Sequence, residues 1–115
     1  MEQLNRIELR GIVGNVKPQE ISERKVYRFT LATSRAYKDK NGVAVIDTTW
    51  HNVVAWENRN VDLSKLEKGT KLYVCGRVRA AKFTSSVDET EKTVYEVVAS
   101  RVVFVDGEEP MSYEM

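Results

Sequence analysis

The sequence predicts an all-β domain of five strands closed into a small barrel, and three observations carry that reading. Apolar and polar residues alternate with period two through separate segments bounded by turn-forming residues. Several of these segments are too long to lie in a flat sheet in a chain of 115 residues, so they must coil. The alternation breaks once, between the third and fourth segments, where the apolar spacing becomes helical.

The first strand opens on the alternation of Ile7, Glu8, Leu9 and Arg10 and meets Gly11 and Gly14, where a strand bends or admits a close backbone. It is expected to run to about Val16, with Pro18 ending it and residues 20–25 forming a polar connection. Residues 26–33 are the second strand, with Tyr27, Phe29 and Leu31 alternating against Arg28, Thr30 and Ala32. Residues 39–42, Asp-Lys-Asn-Gly, tolerate positive φ and supply a hairpin turn into a third strand over residues 45–56. Val61, Leu63 and Leu66 are spaced for the apolar face of one short helix, capped by Asn60 and stopped by Gly69. Residues 71–83 and 93–105 are the fourth and fifth strands, joined by a long exposed hairpin arm. Five strands with a helix after the third is the order of the oligonucleotide-binding fold (OB-fold), with an SH3-like barrel or a small β-sandwich as alternatives. Residues 1–105 form one domain and residues 106–115 a short acidic tail.

Composition narrows the function. A chain that is 42% hydrophobic and 30% charged is neither disordered nor fibrous. It has no apolar run long enough to span a bilayer and no basic, greasy opening, so a cytoplasmic, nucleoid-associated protein without a membrane partner is expected. Cys75 and His51 are each the single residue of their type, which argues against disulfide, zinc or other metal, and no cofactor is expected. The chain shows no nucleophile, base and orienting acid in a catalytic pattern, and Gly11 and Gly14 lie within a strand rather than opening a helix, so it is read as a non-enzyme. All 18 Lys and Arg lie at or before Arg101 with 13 of the 17 acids, leaving the body at +5 and the tail, with Asp106, Glu108, Glu109 and Glu114, at −4. Such a body suits a polyanion partner.

On the third strand Trp50 and Trp56 share parity with Asn52 and Val54, so both indoles face one side while His51, Val53 and Ala55 face the other. On the fourth, Tyr73, Cys75, Arg77, Arg79, Ala81 and Phe83 form one stripe that interleaves guanidinium groups with aromatics. Guanidinium and ammonium groups neutralise phosphates, and an aromatic face stacks on any base. The same residues also admit a plain reading, with the tryptophans in the core and the basic residues on a solvated face.

Four segments carry a resemblance: residues 5–15 (NRIELRGIVGN), 29–33 (FTLAT), 49–54 (TWHNVV) and 68–76 (KGTKLYVCG). In order and spacing they closely resemble the bacterial single-stranded DNA-binding proteins across nearly all of residues 5–105. That resemblance implies an OB-fold barrel, assembled as a homotetramer, that wraps single-stranded DNA in replication, repair and recombination. It implies base stacking on Tyr37, Trp50, Trp56 and Phe83 and DNA contacts from Lys38, Lys40, Arg79 and Lys82, to which the stripe adds Arg77. It places His51 at a subunit interface. Three departures stand out. The segment between the first two strands is short, and Ala81 stands where the family is often basic. The Gly/Pro/Gln-rich linker and the acidic tip ending in Pro-Phe are absent from the sequence, so weak or absent protein recruitment through residues 106–115 is expected. A primosome-type relative, working as a dimer beside a helicase loader, is the alternative.

Overall fold

The structure, a computed structural model, describes residues 1–58 and 61–105. Strands β1 (Ile7–Ile21), β2 (Arg24–Lys38), β3 (Ala44–Trp56), β4 (Lys71–Thr84) and β5 (Glu91–Phe104) close into a barrel in the spatial order β1-β2-β3-β5-β4. The expected all-β five-stranded barrel is therefore observed. Asn60, expected as a helix cap, and the tail at residues 106–115 lie outside the described residues.

Closure depends on β1, which pairs with two neighbours. Its first half runs antiparallel to β4, from Ile7 opposite Gly76 to Ile12 opposite Lys71. Its second half pairs with β2, and a bulge between Val13 and Val16 turns the strand from one partner to the other. Gly11 sits at a close approach of β1 to β2: a Cβ there would lie 2.1 Å from the Ala32 carbonyl oxygen. The ring is completed by a short parallel ladder, Val53 opposite Val97 and Val54 opposite Val98. Tyr27, Phe29, Leu31, Val53, Ala55, Leu72, Val74 and Val97 fill the interior together with Leu9, Val13 and Val102.

Three expectations are corrected. Pro18 does not end β1, which continues to Ile21 with Pro18 opposite Tyr27. Beyond Val13 β1 has left β4, and a strand with one free edge tolerates a residue without an N–H. Residues 20–25 are accordingly a tight hairpin rather than a loose connection. Ile21 pairs with Arg24, and Ser22 and Glu23 between them adopt φ of 49° and 66°. Two left-handed residues in a two-residue loop make the type I′ geometry that Asn-Gly adopts with least strain. The double change Ser22→Asn, Glu23→Gly is expected to stabilise the domain by about 1 kcal/mol, measured by urea denaturation with an unchanged slope.

The expected helix is only a single 3-10 turn, Leu63–Lys65. The apolar spacing was a packing signal: Leu63 and Leu66 are buried and Val61 packs against the same cluster. The cap within the described residues is Asp62, whose carboxylate accepts from the Ser64 backbone N–H at 3.0 Å. Gly69 then turns the chain at φ 94° and donates its N–H to the Val13 carbonyl. The β4–β5 arm is mostly ladder, with Thr84 opposite Glu91, leaving residues 85–90 as its tip.

Candidate nucleic-acid interface

Because Tyr27, Phe29, Leu31, Val53 and Ala55 point into the barrel, the alternate residues of β2 and β3 point outward. The pairing lays them out in rows: Ala32 opposite Trp50, Thr30 opposite Asn52, Arg28 opposite Val54, and Val26 opposite Trp56. The two indoles share one face and stand about 20 Å apart along β3.

Trp50 is 60% exposed, which excludes the core reading for this residue within the chain. Its ring is supported by Gly14, where an added Cβ would lie 2.6 Å from Cζ3 and 3.2 Å from Cη2 of the indole. The indole thus lies over bare backbone on the β1 bulge. That bulge is held by Asn15, whose N–H donates to Thr30 Oγ1 at 3.0 Å. Trp56 is half-buried, and the Arg24 guanidinium stacks 4.7 Å from its ring centroid.

The parallel ladder carries the same outer surface onto the second hairpin, since Val54 pairs with Val98 and Val98 with Arg77. Arg77, Arg79 and Phe83 project on this side, with Ala81 between them, and Phe83 is 46% exposed. Lys38, exposed at the end of β2, shares the parity of the outward residues. Lys40 is exposed on the hairpin turn, where Asp39 Oδ1 accepts from the N–H groups of Asn41 (2.8 Å) and Val43 (3.0 Å).

Tyr37 and Lys82 fall elsewhere. Tyr37, opposite Val45, has the parity of Arg35 and His51, and the Arg35 guanidinium lies 4.8 Å from its ring. Lys82 has the opposite parity to Phe83 and pairs with Glu91 at 3.6 Å across the arm. The structure therefore brings Trp50, Trp56, Arg77, Arg79, Phe83 and Lys38 to one side of the two hairpins and leaves Tyr37 and Lys82 on the other.

Sequence reasoning passed over Arg28 and Glu96. Arg28 Nη1 donates to Glu96 Oε2 at 3.1 Å, and Arg79 Nε donates to Glu96 Oε1 at 3.0 Å. The parity of Arg28 was readable, but its carboxylate partner stands 68 residues away and carries no local signal.

His51 occupies the inward parity with Val53 and Ala55, as expected, and its Nε2 lies 2.8 Å from Thr33 Oγ1. Burial holds the imidazole below its ordinary value of 6.5. The unfolded chain thus takes up this proton at a higher pH than the folded one, so folding stability falls as pH drops through 6.5 and levels off below the folded-state value. Thermal melts from pH 7.5 to 5 are expected to show that decline, and His51→Gln to flatten it.

A sequence profile of the Single-strand binding protein family matches residues 4–105. The chain belongs to this family. Among similar proteins, Single-stranded DNA-binding protein 1 of Chlorobaculum tepidum is 32% identical over 84% of this chain and 62% of its own length. The mitochondrial single-stranded DNA-binding protein of Drosophila melanogaster is 31% identical over 88% of this chain and 70% of its own. A solved structure of Plasmodium falciparum SSB in complex with ssDNA superposes with a TM-score of 0.76 at 29% identity, covering 92% of this chain and 98% of the other. A small single-stranded DNA-binding protein from Streptomyces coelicolor shares the fold, at a TM-score of 0.68 and 18% identity. The barrel, with its single turn between β3 and β4, is the OB-fold of these structures. The chain spans 62% of the Chlorobaculum relative and 47% of a Neisseria meningitidis one. The family is one of binding proteins rather than enzymes. Among the described residues, no helix is long and apolar enough to cross a membrane.

Proposed function

We propose that this protein binds and protects single-stranded DNA without sequence preference, in the settings of replication, repair and recombination. The observation that carries this reading is Trp50, an indole 60% exposed yet in close approach to Gly14, on the outer surface that also bears Arg77, Arg79 and Phe83. An exposed aromatic face stacks on any base, and neighbouring guanidinium groups neutralise the backbone. Trp50, Trp56 and Phe83 stack bases on one side of the hairpins while Lys38, Lys40, Arg77 and Arg79 contact phosphates. A strand that also reaches Tyr37 and Lys82 passes around the hairpin ends, which favours wrapping over a straight path. Assembly is as a homotetramer with His51 at a subunit interface, and the site of action is the cytoplasm.

The test is titration with oligo-dT. Tryptophan fluorescence should be quenched, and affinity should fall steeply as salt rises, since phosphate neutralisation releases counterions. Equal affinity for duplex DNA, or no response to salt, rejects the reading. Light scattering on the same sample tests the assembly. A tetramer supports it, a dimer favours the primosome-type alternative, and a monomer at micromolar concentration rejects both.

A further inference from the structure

The single-stranded DNA reading places cations near the tryptophans, yet a carboxylate lies among them. Glu96 is buried to 7% exposure on β5, and each of its oxygens accepts from a different guanidinium, Arg28 on β2 and Arg79 on β4. The two arginines are separated by β3 and β5, so the carboxylate spans the outer surface where the two hairpins meet. Arg28 stands opposite Val54, hence about 7 Å along the ladder from the Trp56 row and about 13 Å from the Trp50 row.

A buried negative charge in the middle of a polyanion-binding surface opposes binding unless it does something else there. We propose that Glu96 is a positioning residue that holds Arg28 and Arg79 as a paired seat for backbone phosphate between the two tryptophan platforms. This inference rests on the function proposed above and adds Arg28 to the residues that contact DNA. The arginine side chains remain 44% and 45% exposed. A guanidinium carries five N–H donors, so donors on both stay available after Glu96 is satisfied. Two arginines against one carboxylate leave a net +1 at the seat, and holding long side chains in advance removes an ordering cost that binding would otherwise meet. Stacked bases at Trp50 and Trp56 leave phosphates to be met in the interval that Arg28 occupies.

Glu96 is buried and its replacement risks the fold, so the experiment is made at Arg28. Oligo-dT affinity is measured from 0.05 to 0.5 M NaCl for the full chain and for Arg28→Gln and Arg28→Lys, with a thermal melt of each. Arg28→Gln is expected to bind roughly tenfold more weakly at low salt and to reduce the salt slope by about 0.7 for each occupied subunit. Arg28→Lys is expected to restore the slope, since its charge is kept, but only part of the affinity, since an ammonium lacks the fork that serves carboxylate and phosphate together. If Arg28→Gln lowers the melting temperature while affinity and slope stay unchanged, the bridge is purely structural and the proposal is overturned. If Arg28→Lys recovers full affinity, charge alone suffices and positioning by Glu96 is overturned. An unmodified protein that fails to bind oligo-dT overturns the parent function, and this inference falls with it.

Discussion

Gly76→Ala is expected to destabilise the domain by about 3 kcal/mol, lowering the melting temperature by about 10–15 °C. The added Cβ would lie 2.1 Å from the Val98 carbonyl oxygen and 2.9 Å from its carbon, and both belong to backbone. No side chain can rotate away to make room, so β4 and β5 would have to separate where β1 also pairs, at Ile7. A bulge next to this contact, between Cys75 and Gly76, aggravates the effect because Ser100 is already unpaired there and its hydroxyl donates to the Cys75 carbonyl at 3.0 Å. Gly11→Ala should behave alike, for the same reason at the Ala32 carbonyl. Differential scanning calorimetry decides the matter. An unshifted melting temperature for either variant would show that the strands have slack the close approach denies.

Trp50→Ala is expected to weaken oligo-dT binding by about 1–3 kcal/mol, or roughly 5- to 150-fold, with little change in the salt slope. The slope counts phosphates neutralised, and an indole neutralises none. Trp56→Ala should cost less, because the Arg24 guanidinium already covers its ring and the residue is half-buried. Anisotropy of a labelled oligonucleotide across a salt series measures both quantities at once. Circular dichroism should show Trp50→Ala folded as the native chain is, since a 60% exposed side chain on the outer surface leaves no core cavity when truncated.

The sidedness of each strand is written in the chain alone. Side chains in a strand alternate by covalent geometry, so Trp50 and Trp56 opposite in parity to His51 and Val53, and Arg77 and Arg79 in line with Phe83, were legible from spacing alone. The hairpin at residues 39–42 was legible too, because Asp39 and Gly42 make their turn from their own atoms. Four features arise only when the strands assemble. The turn at Ser22 and Glu23 has no Gly or Asn to announce it, and the pairing of the flanking strands holds it in place. Residues 61–66 show helical apolar spacing, yet what the core takes is Leu63 and Leu66, and one 3-10 turn with its extended C-cap residue supplies them. The bridge from Arg28 and Arg79 to Glu96 joins residues on three strands, and Tyr37 and Lys82 are parted from the other candidates by parity that matters only once the register is known. Alternation is a property of each segment alone, whereas register and reach across strands arise when the barrel closes and sets one segment against another.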